Sequence, residues 1–176
     1  MLEYTTLALV LDKEVVNEAD ARVFFYTEDL GLVIGKAISA FKIKAKLNAH
    51  LEPFNLARVR LVCKNQILII DALCEQRFKG GVAEFQKLAT MAKFLKEALL
   101  PGQADQGLWA EVMKFFTTGG NEKELVASFG FEPSLAVCAY CGDQPKIFLA
   151  RDYSFLCKRC FDLTPKEAWL NSYIQF

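Results

Sequence analysis

The sequence predicts an α+β protein in which a β-rich N-terminal part precedes a helical part. Up to residue 78, apolar residues alternate with polar ones, as they do in half-buried strands; beyond residue 81 they recur at helical spacing. Apolar types make up 53% of the 176 residues, which is enough for a packed core. We expect two domains, at residues 1–78 and 79–176.

Five segments of the N-terminal part have the composition of short strands, rich in β-branched and aromatic residues. Turn signals separate them, such as Gly31 and the run from Lys64 to Gln66. The segments are residues 6–11, 21–27, 32–40, 54–63 and 67–74, with a loop at 41–53. Five short strands favour a closed barrel, because closure removes exposed edges. An OB-fold barrel fits, and a small SH3-like barrel is the alternative.

The residue pattern in the second half of the chain predicts four helices. The first ends at Pro101, the second begins after Asp105, and Asn121 caps the third, with a glutamate three residues later as in a capping box. A fourth begins at Pro165, because proline is favoured at a first helical position. Its expected apolar side consists of Trp169, Leu170, Tyr173 and Ile174.

The net charge of zero hides an uneven distribution. Residues 1–35 carry seven acidic and two basic residues, whereas residues 36–64 carry seven basic residues and one acidic residue. The first segment therefore has a net charge of −5 and the second of +6. A local basic patch is thus compatible with a neutral protein.

This basic segment provides candidate contacts to single-stranded nucleic acid. Successive side chains of a strand point to opposite faces, so the two arginines share one face of the fourth strand. The lysines at 42, 44 and 46 would likewise lie on one side if their segment is extended. Cations would follow the phosphates, and Phe41 would stack on a base. The candidates are Lys36, Phe41, Lys42, Lys44, Lys46, Arg58 and Arg60. The alternative is a solvated loop beside an ordinary strand.

Two C-x-x-C pairs, 15 residues apart, predict a metal site within residues 136–161. Four thiolates complete a tetrahedron and leave no position for water, so we expect one structural zinc ion. The ligands would be Cys138, Cys141, Cys157 and Cys160. Redox-active dithiols and an iron–sulfur cluster are the alternatives. Cys63 and Cys74 are expected to be buried thiols.

The sequence lacks the motifs that are typical of several other functional classes. The only histidine, His50, lies in a polar stretch and is interpreted as a solvated loop residue, and the sequence has no phosphate-binding glycine motif. No uncharged apolar run is long enough to span a membrane, and the first residues do not resemble a signal peptide. We expect a cytoplasmic protein that does not contact a membrane.

Three segments carry a family resemblance. Residues 125–142 run from a helix through Gly130-Phe131-Glu132-Pro133 into C-x-x-C-G, residues 26–33 form a T-x-E-x-G-type turn, and residues 51–54 read Leu-Glu-Pro-Phe. In this order they resemble the DNA repair protein RecO family, across about residues 5–161. The chain is identified as a short member, ending soon after the second C-x-x-C pair. It also departs from the family in the basic stretch 37–44 and in residues 153–156, which stand in place of a glycine pair.

The resemblance implies a recombination mediator in DNA repair. RecO-like proteins bind single- and double-stranded DNA, anneal complementary strands and act with RecR, and they are not enzymes in the bond-making sense. They engage single-strand-binding protein and help load RecA onto coated DNA, and are therefore associated with the nucleoid. Lys36 and the three lysines at 42, 44 and 46 match the basic segment of the family, and the four paired cysteines match its zinc ligands.

Three other functions remain open. An RNA-binding barrel with a zinc ribbon would use the same basic face, because stacking and phosphate contacts do not separate RNA from DNA. GTPase-activating domains directed at Arf also carry two C-x-x-C pairs, but they need an arginine beyond the last pair, and none follows Arg159. A structural adaptor without nucleic-acid binding is the third.

Overall fold

The computed structural model describes residues 2–38, 47–164 and 173–176. The chain forms two compact units, Met1–Glu84 with Leu99–Trp109, and Phe85–Ala98 with Ala110–Phe176. The units are interleaved along the chain, because residues 99–109 return to the first. The two domains expected at 1–78 and 79–176 stay a prediction.

The first unit contains a closed barrel of five strands, in the order β1-β2-β3-β5-β4. The strands are β1 (Leu2–Val15), β2 (Ala21–Thr27), β3 (Gly31–Ala37), β4 (Leu56–Cys63) and β5 (Ile67–Gln76). A short helix, α1 (Leu47–His50), lies between β3 and β4 in the chain. This five-stranded order is that of an OB-fold, so the predicted fold class is confirmed. Helix α1 falls in a stretch that the sequence predicted as loop.

Strand β1 closes the barrel because it pairs on both sides. Its first half pairs with β4, from Leu2 opposite Cys63 onward, and its second half pairs with β2, as far as Val15 opposite Ala21. A register shift after Val10 marks a bulge, which bends the strand between its two partners.

The barrel interior holds a single apolar cluster. Phe25, Leu61 and Leu51 are its bulky members, and five alanines contributed by the strands make room for them: Ala8, Ala21, Ala37, Ala57 and Ala72. On β3, a Cβ on Gly35 would lie 2.8 Å from the Ile69 side chain, so glycine allows this close packing. Alternate residues of every strand therefore fill the inside, as in other small barrels.

Helices α2 (Val82–Ala98), α3 (Gln106–Thr118) and α4 (Glu122–Ser128) follow. The sequence predicted all three. Asn121 caps α4, since its side chain accepts a hydrogen bond from the Lys123 backbone N–H at 2.9 Å. Phe94, Leu95 and Leu125 are among their side chains buried in the second unit.

The second unit also contains elements that the sequence did not predict. Strands β6 (Ile147–Leu149), β7 (Ser154–Leu156) and β8 (Tyr173–Gln175) form a sheet in the order β7-β6-β8, and α5 spans Lys158–Leu163. The predicted fourth helix is wrong at Tyr173 and Ile174, because Ile174 pairs with Phe148 across β8 and β6. The rest of that prediction, including Trp169 and Leu170, lies outside the described residues.

Within the described ranges, no helix combines the length and apolar character needed to cross a membrane.

Candidate metal centre and nucleic-acid surface

The structure brings the four paired cysteines together. Their sulfur atoms all lie within 4.8 Å of one another, and the Cys141 and Cys157 sulfurs are 3.6 Å apart. Sulfur ligands about 2.3 Å from a tetrahedral metal ion stand roughly 3.8 Å apart, so this spacing fits a single ion. The four cysteines can therefore hold one metal ion, with all four positions filled by sulfur: Cys138, Cys141, Cys157 and Cys160.

The first cysteine pair is held by a tight backbone turn. The Gly142 N–H donates to the Cys138 carbonyl at 2.9 Å, and the Cys138 N–H donates to the Asp143 carbonyl at 2.8 Å. Gly142 adopts a φ of 77°, a conformation that favours glycine. The Ala139 N–H also donates to the Phe155 carbonyl at 2.9 Å, which ties the turn to β7.

The second pair begins helix α5. Cys157 is the N-cap residue, and its sulfur accepts a hydrogen bond from the Cys160 backbone N–H at 3.4 Å. The same sulfur is thus a helix cap and a candidate ligand. Because the two roles share one atom, helix formation and the geometry of the second pair are coupled.

The pKa values of the thiols favour negative charge at one sulfur. Burial raises the pKa of Cys138, but hydrogen bonds from the backbone at Cys157, Cys141 and Tyr140 outweigh it and lower this pKa to about 6. At Cys141, a backbone hydrogen bond at Asp143 lowers the pKa. Desolvation and the neighbouring sulfurs raise it by more, so the pKa of Cys141 is above its usual value. At Cys160, the hydrogen bond with Cys141 lowers the pKa, but desolvation and the other two sulfurs raise it overall. A divalent cation would supply the positive charge that four adjacent thiolates need.

Aromatic side chains surround residues 136–161, which we call the cysteine segment. Phe148 on β6 lies 5.6 Å from Phe94, 5.1 Å from Phe131 and 5.0 Å from Phe155, measured between ring centroids. Tyr153 stacks on Phe131 at 5.1 Å. The short strands of this segment are therefore packed against helix α2 of the same unit.

The candidate nucleic-acid residues that the structure describes are all ion-paired. Lys36 lies 3.0 Å from Asp20, and the two arginines of β4 pair with Glu75 and Glu3, Arg58 at 2.8 Å and Arg60 at 3.4 Å. Arg58 and Arg60 do share the outer face of β4, but Lys36 lies on β3, which is not a neighbour of β4 in the barrel. Their role in binding stays a prediction.

The other four candidates, Phe41, Lys42, Lys44 and Lys46, lie outside the described residues.

Sequence reasoning missed two residues beside Lys36. Arg22 lies directly opposite Lys36, and Phe24 lies opposite Ile34, in the antiparallel register of β2 and β3. Arg22 is exposed and Phe24 is half-buried, whereas Val23 and Phe25 between and after them face the core. The period-two alternation of β2 could have placed both residues on the outer face.

Three further residues differ from expectation. His50 is not simply solvated, because its Nδ1 accepts a hydrogen bond from the Cys74 backbone N–H at 3.0 Å. Cys63 and Cys74 are half-buried rather than buried. Cys74 lies opposite the core residue Ala57, and Cys63 lies opposite Ile67, which packs against the core, so both follow the inward side near the ends of their strands.

The fold and the cysteine cluster define a class: proteins that join an OB-fold barrel to a helical unit with four cysteines that can hold a metal ion. The family profile described as Recombination protein O N terminal matches residues 1–72, which cover most of the barrel. In this part the chain is therefore similar to the RecO family.

Curated relatives extend the similarity beyond the barrel. The DNA repair protein RecO of Desulforudis audaxviator is 26% identical over 94% of this chain and 73% of its own length. RecO of a strain of Dehalococcoides mccartyi is 41% identical over 79% of this chain and 61% of its own length. RecO of Cutibacterium acnes is 25% identical over 81% of this chain and 67% of its own length. The chain thus spans roughly two thirds of these relatives.

Proposed function

We propose that this protein is a DNA-binding recombination mediator of the RecO type, acting in DNA repair and homologous recombination. In this role it binds single- and double-stranded DNA and anneals complementary strands in the nucleoid, within the cytoplasm. Together with RecR it helps load RecA onto DNA coated by single-strand-binding protein. The observation that carries the proposal is a similarity to RecO that covers both the barrel and the cysteine segment.

The proposed mechanism is electrostatic and involves no bond chemistry, so we do not propose an enzyme. Lysines and arginines on the barrel neutralise phosphates and release their counterions, which makes binding weaken steeply with salt. Two strands neutralised on one protein repel each other less, and this favours annealing. The basic segment 36–64, with its net charge of +6, supplies most of these cations.

We further propose that the four-sulfur centre holds one zinc ion. An all-cysteine tetrahedral site is typical of structural zinc, and it leaves no open position for a substrate or water. The ion would hold the first cysteine turn and the start of α5 together. Elemental analysis of the purified protein should find about one zinc per chain; a folded protein without metal would contradict the assignment.

A strand-annealing assay tests the proposed function. Complementary DNA strands coated with single-strand-binding protein should anneal faster with this protein, and RecR should increase RecA loading. No acceleration on coated or bare DNA would overturn the proposal.

The lysines of the basic segment provide a second test. Replacing Lys42, Lys44 and Lys46 by alanine should reduce the slope of log affinity against log salt by about 0.7 per lost phosphate contact on single strands. A matched control replaces Lys93, Lys96 and Lys114, which removes the same charge from the second unit. Equal slopes in the two variants would contradict a role for this segment.

The alternative function is RNA binding by the same barrel with its zinc ribbon. Competition between DNA and RNA oligonucleotides of one sequence decides between them, since the phosphates and bases are shared and the 2′-hydroxyl is not. Preferential displacement by RNA would favour the alternative.

A further inference from the structure

The four clustered cysteines differ in their access to solvent. Two are buried, one is half-buried and one is exposed, in the order Cys138, Cys157, Cys160 and Cys141. The sulfur of Cys141 also lies 3.4 Å from a carboxylate oxygen of Asp143. Of the four, Cys141 is therefore the residue most open to a dissolved reagent.

A second sulfur lies within reach of Cys141. The Cys157 sulfur is 3.6 Å away, and a disulfide bond is about 2.05 Å long, so the two atoms need to approach by about 1.5 Å. Cys157 is the extended N-cap residue of α5, whereas Cys160 lies inside the helix. The Cys138 sulfur is held by several backbone hydrogen bonds. Cys157 is thus the neighbour with the fewest constraints on a small movement toward Cys141.

The surroundings of Cys141 select the kind of oxidant. A cysteine that coordinates a metal ion is a thiolate, and the thiolate is the form that peroxides oxidise. The carboxylate of Asp143 repels anionic oxidants such as glutathione disulfide, but it does not repel an uncharged peroxide. The oxidant class that fits the site is therefore hydrogen peroxide or another small uncharged hydroperoxide.

We propose that Cys141 and Cys157 form a peroxide-sensitive pair, and that their disulfide replaces the metal ion as the cross-link of the cysteine segment. The inference rests on the proposed zinc site and adds a second state of the same four sulfurs. The segment then has two alternative cross-links, a metal ion under reducing conditions and a disulfide under oxidising conditions.

The oxidation proceeds in two balanced steps. The Cys141 thiolate attacks one oxygen of hydrogen peroxide, the O–O bond breaks, and a sulfenic acid and a hydroxide ion form. The Cys157 thiolate then attacks this sulfur, the S–S bond forms, and the S–O bond breaks with loss of a second hydroxide ion. Each sulfur loses one electron and each peroxide oxygen gains one. Only Cys138 and Cys160 then remain as thiolates, which are too few for a structural site, so the metal ion is released.

The disulfide would join the same two parts of the segment that the metal ion joins. Cys141 belongs to the turn of the first pair and Cys157 to the start of α5, 16 residues further along the chain. A cross-link over a loop of this length restricts the unfolded chain, whereas a disulfide within either pair would leave the two pairs unconnected. We therefore expect the segment to stay folded after oxidation.

Hydrogen peroxide, added to the zinc-loaded protein after purification under reducing conditions, tests the inference. A chromogenic chelator should register about one zinc ion released per chain. Non-reducing peptide mapping with tandem fragmentation should recover a cross-link between Cys141 and Cys157. Trypsin separates Cys157 from Cys160, because it cuts after Lys158 and Arg159. Any other pairing, or zinc release without a disulfide, would overturn the inference.

Hydrogen exchange measured by mass spectrometry tests the structural consequence. Residues 136–161 should remain protected after peroxide treatment, and should lose protection when a chelator removes the metal in the presence of reductant. Dithiothreitol and zinc together should return the oxidised protein to its starting state. Equal loss of protection after both treatments would overturn the replacement of the metal by the disulfide.

A double variant, Cys63→Ser with Cys74→Ser, is the matched control, because these two thiols lie outside the cluster. It should release zinc and form the cross-link at the wild-type rate, and a slower reaction would contradict the assignment to Cys141 and Cys157. If the purified protein neither contains nor takes up zinc, the proposed zinc site fails. Peptide mapping of that metal-free protein after peroxide treatment still decides the pairing.

The variant Asp143→Asn tests the selection of the oxidant, because it keeps all four sulfurs. It should speed oxidation by glutathione disulfide about two- to fivefold, the size of a screened surface charge effect. The rate with hydrogen peroxide should stay close to that of the wild type. An unchanged rate with glutathione disulfide would contradict the role of the carboxylate, although the pairing of the two sulfurs stands.

Discussion

The barrel and the cysteine segment stabilise their folds in different ways. Every barrel strand has a neighbour on both sides, and alternate side chains from all five strands fill one apolar interior. The cysteine segment has strands of three residues and a small buried cluster in which two members are Cys138 and Cys157. We therefore expect a segment with so small a buried cluster to depend on metal ligands for its stability. We therefore expect the loss of one sulfur to disturb the cysteine segment, and the loss of one core side chain to destabilise the barrel.

Loss of a sulfur ligand should have the largest effect. Cys157→Ala removes a candidate metal ligand and the cap of α5 together, and structural zinc typically contributes about 10 kcal/mol or more to folding. We expect loss of bound metal and fast hydrogen exchange in residues 136–161, with the barrel still protected. Exchange measured by mass spectrometry, peptide by peptide, resolves the two regions.

Cys63→Ala is the control for this substitution, because Cys63 lies on β4 outside the cluster. It should retain the metal and the wild-type exchange pattern. A Cys157→Ala protein that keeps full protection in the cysteine segment would show that the segment does not depend on metal.

Truncation of one barrel side chain should have the next largest effect. Phe25→Ala leaves a cavity in the fully buried interior and should lower the free energy of unfolding by about 3–5 kcal/mol. Urea denaturation followed by circular dichroism measures this loss. Metal content should stay unchanged.

Phe24→Ala, one residue earlier, provides the matched comparison. Phe24 faces outward and is half-buried, so its truncation should cost clearly less. Equal losses at both positions would contradict the orientation of β2.

Alkaline pH should weaken the barrel through Tyr26. Burial first, and then the charge of Asp105, raise the pKa of this fully buried tyrosine from 10.0 to about 12. The unfolded chain therefore ionises first, and the stability that the neutral phenol contributes below pH 10 is lost as the pH rises toward 12. Tyr26→Phe should lose less stability over this interval than the wild type. Tyr140→Phe, at an exposed tyrosine, should follow the wild type.

Removal of a helix cap should have the smallest effect. Asn121→Ala deletes the acceptor for the Lys123 N–H and should cost about 1 kcal/mol, measured by urea denaturation. Asn121→Asp should keep the stability, because aspartate caps equally well. A loss for Asn121→Asp as large as for alanine would contradict the capping role.

Local patterns in the sequence were enough to predict much of the fold. Alternation identified the barrel strands, Asn121 marked the start of α4, and the C-x-x-C spacing identified four cysteines that converge. Each of these signals lies within a few neighbouring residues. The sequence also carries the family resemblance in short segments of this kind.

The features that the sequence did not predict depend on contacts between residues that lie far apart in the chain. Strands β6, β7 and β8 are too short for periodicity, so Tyr173 and Ile174 resembled a helix face. The ion pairs of Arg60 with Glu3 and Arg58 with Glu75 follow from barrel register, which a local count of charge does not contain. For the same reason Arg22 was not grouped with Lys36, although β2 and β3 place them opposite each other.

The interleaving of the two units has a consequence for synthesis on the ribosome. The barrel strands emerge first, but Trp109, which packs on Tyr26 at 5.4 Å, emerges only after residues 85–98 of the other unit. Those residues, including Phe94, then remain without Phe129 and Phe148 until the cysteine segment has been translated. Nascent chains thus expose the apolar side of α2 until Phe148 has been translated, and this helix is where we expect chaperones to act during translation.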